Sequence, residues 1–141
     1  MRGRSDASQQ RHQVQMDKGQ SMRVLIVEDE PVLALTLEDL LVDAGFVVIG
    51  IAGKLQKALD LIGSAKFDVA IIDANLGGTS ASPAASALTA KGIPFIVVSG
   101  YSAEQLRPAF PCAVVMMKPY QPAQLIRALR DITRKAQNMI E

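Results

Sequence analysis

The sequence predicts an α/β domain in which a parallel sheet of five strands is wound with helices on both faces. Three observations carry this. Five short, continuous apolar runs recur along 141 residues, and helical periodicity fills the stretches between them. Continuous rather than alternating apolar runs mark strands buried on both faces, as in parallel sheets. Strands alternating with helices call for right-handed crossovers, which place helices on both sides of the sheet.

The first run is Val24-Leu25-Ile26-Val27, which ends abruptly in charge. Pro31 then opens a helix, because proline is tolerated in the first turn, with Asp29 or Glu30 as a candidate cap. Val32, Leu33, Leu37, Leu40 and Leu41 recur at helical spacing, and Gly45 suits a helix C-terminus. A second strand is expected over 46–51. Leu55, Ala58, Leu61 and Ile62 mark a second helix. The third strand is Val69-Ala70-Ile71-Ile72, ending at Asp73, and residues 81–91 form an Ala-rich, weak helix. A fourth strand is expected over 93–98, a short helix over 102–107 before Pro108, and a fifth strand over 113–117. Leu125, Ile126, Leu129 and Ile132 give the last helix.

Residues 1–21 are rich in Gln, Ser, Arg and Asp without apolar period, so a disordered tail is expected there and a folded domain over 22–141. Met16 and Met22 offer alternative starts. Formal net charge is only +1, and the small basic excess lies in the tail, where Arg2, Arg4, Arg11 and Lys18 outnumber Asp6 and Asp17. Aromatics are 4% of residues and Trp is absent, so stacking on nucleic-acid bases is not expected. Neither nucleic acid nor membrane is an expected partner. No apolar stretch approaches the length of a membrane span, and no secretory h-region follows the N-terminal arginines. Cys112 is the only cysteine, which excludes an internal disulfide; it reads as a small core residue in a cytoplasmic protein.

Sites in open parallel sheets form outside the carboxyl ends of the strands. Strand one ends in Glu28-Asp29, strand three in Asp73, strand four in Ser99 and strand five in Lys118. The fold therefore carries three carboxylates, a hydroxyl and an ammonium to one edge. Clustered carboxylates repel one another, and a divalent cation relieves the repulsion. Oxygen ligands with retained waters suit Mg²⁺, and backbone carbonyls can complete its shell. A cation, the Lys118 ammonium and the Ser99 hydroxyl converging on a carboxylate are what phosphoryl transfer to that carboxylate requires, with Asp73 as the nucleophile. Taken singly, each group has a plainer reading. Glu28 and Asp29 can cap a helix, Asp73 and Ser99-Gly100 can sit in turns, and most lysines are solvated. The conjunction at four strand ends gives them a common purpose.

Val24-Leu25-Ile26-Val27-Glu28-Asp29-Glu30-Pro31, Ile71-Ile72-Asp73-Ala74-Asn75-Leu76, Val97-Val98-Ser99-Gly100-Tyr101 and Met116-Met117-Lys118-Pro119-Tyr120 resemble the signature blocks of bacterial response-regulator receiver domains. The resemblance spans residues 22–138. It implies a flavodoxin-like (βα)5 sandwich with strand order 2-1-3-4-5. Asp73 matches the phosphoacceptor, Glu28 and Asp29 the acidic pair that positions Mg²⁺, and Asn75 the position whose backbone carbonyl ligates the metal. Ser99 matches the hydroxyl that moves toward the phosphoryl group. Lys118 matches the lysine that pairs with it, ahead of a bond to Pro119 that is often cis. The partners implied are a sensor histidine kinase or a histidine phosphotransfer protein, and a downstream protein target. Such a domain is not an enzyme in the ordinary sense, although it assists its own phosphorylation and dephosphorylation. Little chain follows the last helix, so output through protein contact or onward phosphotransfer is expected.

The sequence departs from the family pattern at three places. The turn after the acceptor is Leu76-Gly77-Gly78-Thr79 and lacks proline. Val115 stands where an aromatic switch residue is usual. Tyr101 lies two residues beyond Ser99, a position that with Asn75 and Gly100 tunes dephosphorylation. Pro94-Phe95 through Ser99-Gly100-Tyr101 resembles a receiver subgroup with a Phe-x-x-x-Ser-Gly-Tyr type of fourth strand, in which Tyr101 would take over the switch role and shield the acyl phosphate. A receiver-like module that binds partners without phosphorylation is the alternative that Val115 and the altered turn leave open. An aspartyl-phosphate hydrolase wants a second carboxylate near the nucleophile, where this chain has Asn75. A flavodoxin wants a phosphate loop after strand one, where this chain is acidic.

Overall fold

The structure is a computed structural model that describes residues 21–111 and 113–140. The expected tail, apart from residue 21, and the core role of Cys112 fall outside the described residues. Five strands form the sheet: β1 (Arg23–Val27), β2 (Val47–Ala52), β3 (Val69–Asp73), β4 (Phe95–Ser99) and β5 (Val114–Met117). Five helices join or follow them: α1 (Pro31–Asp43), α2 (Leu55–Ser64), α3 (Ser82–Ala90), α4 (Ala103–Leu106) and α5 (Pro122–Ile140). The strand order is β2-β1-β3-β4-β5, and every neighbouring pair is parallel. This is the flavodoxin-like, doubly wound sandwich that the alternation of runs predicts.

Strand alternation divides the core cleanly. Leu25, Val27, Ala70, Ile72 and Val97 face one side and pack with Ala58 and Ile62 of α2 and with Ala84, Ala85 and Leu88 of α3. Val24, Ile26, Val69, Ile71, Ile96 and Val98 face the other and pack with Leu37 and Leu41 of α1 and with Leu125 and Leu129 of α5. Both faces are buried, which explains why β1 and β3 read as unbroken apolar runs. The small side chains of α3 let that helix pack closely against its neighbour α2.

Several boundaries differ from the sequence expectation for local reasons. β2 begins at Val47 because Phe46 turns into the core, where the Arg130 guanidinium stands 5.6 Å over its ring. β4 begins at Phe95 because Gly92 adopts a positive φ and Pro94 has no N–H to give; the Pro94 carbonyl still accepts from the Ala70 amide. α1 starts at Pro31 with Glu30 at the N-cap but without a side-chain cap, so the expected capping by Asp29 or Glu30 does not form. Proline at the first helical position leaves one fewer amide to satisfy. The turn after Asp73 folds into a short antiparallel ladder in which Asn75–Leu76 pairs with Thr79–Ser80. Gly77 and Gly78, at φ +61° and +96°, make the two-residue turn with both φ positive that such ladders favour. The α4 helix is a single turn, held by a reciprocal capping box between Ser102 and Gln105.

Candidate functional site

Register brings the predicted residues together. Val27 lies opposite Ile72, Asp73 opposite Val98, and Ser99 opposite Met117, so Glu28, Asp73, Ser99 and Lys118 leave the sheet at one edge. The ladder continues one step beyond β5, where the Lys118 amide donates to the Ser99 carbonyl at 2.8 Å. The Lys118–Pro119 bond is cis.

Asp73 is buried at the end of β3. Lys118 Nζ donates to Asp73 Oδ2 at 2.8 Å, and the Asn75 amide donates to Oδ1 at 3.1 Å. Glu28 is buried beside it, and its carboxylate accepts from the Glu30 amide at 3.2 Å. One carboxylate oxygen from each of Glu28, Asp29 and Asp73 falls within 4.8 Å of the others. Burial pushes the Glu28 carboxyl above its ordinary pKa, and the charges of Asp73 and Asp29 add to the effect; the Glu30 amide and Lys118 oppose it without cancelling it. Burial works against the Lys118 ammonium, but the hydrogen bond to Asp73 and the charges of Asp73 and Glu28 outweigh it and raise the pKa. The Tyr120 hydroxyl is raised by burial, with Glu28 and Asp73 reinforcing and Lys118 opposing. The pocket thus holds more negative charge than one ammonium neutralises. Three hard oxygen donors in that state fit a small divalent cation, and the Mg²⁺ preference for carboxylates with retained water suits a set open on one side.

Ser99 is buried, and its Oγ accepts from the Tyr101 amide at 3.0 Å. Tyr101 is 61% exposed, and Gly100 between them is exposed. Asn75 Oδ1 accepts from the Gly78 amide at 2.7 Å, which ties the loop after β3 to itself. Val115 is half-buried against the α2–α3 side of the core.

Three features of the site escape a reading of motifs. Gly53 and Gly77 flank the acidic loop: a Cβ on Gly53 would lie 3.7 Å from the Glu28 carbonyl, and one on Gly77 would lie 3.6 Å from Asp29 Oδ2. The Gly77-Gly78 pair is itself a hairpin signal. Behind Lys118, a cavity of about 340 Å³ opens between α1 and the segment after β5, lined by Leu33, Leu37, Leu40, Val98, Tyr120 and Pro122 among others. No sequence signal marks it, because it arises from the separation of two distant segments.

The family and its relatives agree with this geometry. Residues 24–130 match the response regulator receiver domain, and the chain belongs to that family. It is 33% identical over 112 residues to the transcriptional regulatory protein PdtaR of Mycobacterium tuberculosis, covering 76% of this chain and 54% of that protein. The chain therefore spans about half the length of that curated relative. Among solved structures it is similar to SdrG of Sphingomonas melonis, at 34% identity, TM-score 0.68 and coverage of 79% of this chain and 96% of that one. A response regulator receiver protein of Sinorhizobium medicae gives 25% identity, TM-score 0.74 and coverage of 82% and 97%. Receiver domains generally bind Mg²⁺ at an acidic pocket, and the structure brings Glu28, Asp29 and Asp73 together in an acidic cluster. Among the described residues, no helix is long and apolar enough to cross a membrane.

Proposed function

We propose that this chain accepts a phosphoryl group on Asp73 from a phosphohistidine of a sensor kinase or phosphotransfer protein, and signals through protein contact or onward transfer in the cytoplasm. The observation that carries the reading is the convergence on Asp73 of the Lys118 ammonium and two further carboxylates, in a buried pocket at one sheet edge. Glu28, Asp29, Asp73 and the Asn75 backbone carbonyl would hold Mg²⁺, which supplies positive charge to the phosphoryl oxygens when bound.

An Asp73 oxygen forms the new O–P bond while the P–N bond of the donor histidine breaks, and the departing imidazole takes up a proton. Lys118 is already placed to exchange its carboxylate partner for a phosphoryl oxygen. Ser99 Oγ uses a lone pair for the Tyr101 amide and keeps its own O–H free to donate to a phosphoryl oxygen. Movement of Ser99 Oγ toward the phosphoryl group would pull on the Tyr101 backbone through that bond and couple phosphorylation to the exposed Tyr101 ring. The chain therefore assists its own phosphorylation and hydrolysis without acting on a separate substrate.

The test is intact-mass spectrometry after incubation with acetyl phosphate, with Mg²⁺ and with a chelator. A single phosphoryl adduct that requires Mg²⁺ supports the reading. Val115, in place of an aromatic on β5, favours a second reading, a partner-binding module independent of phosphorylation. Absence of an adduct, together with no binding of beryllofluoride, would select that one.

A further inference from the structure

Helix α1 is apolar on more sides than its place in the fold requires. Ala34, Leu37 and Leu41 are buried in the core, yet Val32, Leu35 and Val42 on the outer side are 75%, 56% and 53% exposed. With Asp39 they follow one another at helical spacing, which makes one continuous stripe along the helix. Leu33 adds a further exposed apolar side chain on the flank toward α5. Among the described residues, half of the large apolar side chains that stand exposed belong to this one helix. A surface helix ordinarily turns its apolar stripe inward and polar residues outward, and a second apolar stripe on the outside marks an interaction surface.

The charges around the stripe indicate what covers it. α1 carries Glu38, Asp39 and Asp43 and no basic residue. α5 carries Arg127, Arg130 and Arg134, which share a face at helical spacing. That face lies toward α1, because the Arg130 guanidinium donates to the Ala44 carbonyl at the end of α1. The two helices run in the same direction. Tyr120 and Pro122, around the start of α5, line the cavity behind Lys118 together with Leu33, and Arg130 meets Ala44 at the other end. Among the described residues, Asp39, Asp43 and Arg127 form no ion pair. An acidic, apolar ridge thus stands beside a basic one, and such a face is complementary to itself after a half-turn about an axis between the helices.

We infer that the α1–α5 face is a self-association surface whose occupant is a second copy of this chain. A twofold axis running along the helices lays α1 of each copy over α5 of the other. Heights stay matched, so Arg127, one turn before Arg130, comes level with Asp39 and Asp43 of the second copy. The Val32 and Leu35 end of the stripe then lies over Pro122 and Ala123, and the cavity behind Lys118 is roofed. The other symmetric arrangement, α1 on α1, stacks acidic ridge on acidic ridge and arginine on arginine, which like charge disfavours. The inference does not depend on the chemistry at Asp73.

The experiment is sedimentation velocity of the full chain against protein and salt concentration, for wild type, Leu35→Asp, Asp39→Arg, Arg127→Glu and an equimolar mixture of the last two. All three positions are exposed, so each variant should melt close to wild type. Wild type should show a reversible monomer–dimer equilibrium that weakens with salt. Leu35→Asp should be monomeric throughout. Each charge reversal enters a symmetric interface twice and should weaken dimerisation at least roughly tenfold. The mixture should return to within about threefold of wild type, because every reversed charge then meets an opposite one. A wild type that stays monomeric at every concentration overturns the inference and leaves the stripe to a different protein. A dimer that survives Leu35→Asp lies on another face and overturns it as well. Loss of the dimer in both reversals without recovery in the mixture rejects the pairing of α1 with α5. Should Asp39→Arg not fold, Asp43→Arg takes its place under the same criteria.

Discussion

The Lys118–Asp73 pair lends itself to a quantitative test by mutation. The N···O distance is 2.8 Å; the Asp73 side chain is 11% exposed and that of Lys118 is 34% exposed. Breaking a fully buried ion pair costs roughly 3–5 kcal/mol, because the remaining charge is stranded. A single hydrogen bond to a charged group contributes about 1.5–3 kcal/mol. A third of the Lys118 side chain meets water, so solvent can partly replace it, and the lower range applies. Lys118→Met should therefore destabilise the metal-free protein by about 2 kcal/mol, near 8 °C in Tm for a domain of this size. Asp73→Asn should cost much less, since it also removes a negative charge from beside Glu28. In the Asp73→Asn background the lysine has lost its ionic partner, and Lys118→Met should then cost little. A double-mutant cycle by urea denaturation at neutral pH, in chelator, should give a coupling of about 1–2 kcal/mol. Repeating the cycle with saturating Mg²⁺ should reduce the coupling, as the cation takes over part of the Asp73 charge. A metal-free coupling below about 0.5 kcal/mol would mean that the pair behaves as a screened surface contact, and the electrostatic description of the pocket would fail.

Other consequences are simpler to check. Glu28 has a raised pKa in the folded state, so folding favours its protonated form. Stability should fall as pH rises from the unfolded carboxyl value through the raised folded one, and the penalty should persist at neutral pH. Glu28→Gln should accordingly stabilise the chelated protein at neutral pH, flatten that pH dependence in urea melts, and abolish stabilisation by Mg²⁺. Ser99→Ala leaves the Tyr101 amide without its 3.0 Å acceptor and should cost about 1–3 kcal/mol in the same assay, while the acetyl phosphate adduct forms more slowly. Leu125→Ala, at a fully buried α5 position on the α1–α5 face, should cost about 2–5 kcal/mol and leave Mg²⁺ affinity unchanged in whatever fraction remains folded.

The strands and the strand-end chemistry were legible because parallel strands buried on both faces must be apolar throughout. Their charged or hydroxylic termini then stand out, and register delivers Glu28, Asp73, Ser99 and Lys118 to one edge without further information. Elements set by local competition were less legible. The start of β2 depends on Phe46 finding the Arg130 guanidinium, 84 residues away in sequence. The start of β4 depends on what Pro94 cannot donate. The far extent of α5, which runs to Ile140, exceeds the apolar stripe that marks it, because its later turns are polar. The approach of Gly77 to Asp29 and the cavity behind Lys118 are tertiary facts with no local signature. The Gly77-Gly78 pair carries a hairpin signal, and the structure closes a two-residue turn there. The Lys91 ammonium, which donates to the Ile62 carbonyl at 2.7 Å and so ties α3 to the end of α2, shows the same limit: nothing near Lys91 in sequence announces its partner.

The central claim is that the phosphoryl group resides on the Asp73 carboxylate. Borohydride reduces an acyl phosphate to an alcohol, so trapping after acetyl phosphate and Mg²⁺, followed by peptide mass mapping, locates the group directly. The expected product is homoserine at position 73 and nowhere else, with no product from Asp73→Asn. Homoserine appearing instead at position 29, or an adduct that survives in Asp73→Asn, would contradict the assignment.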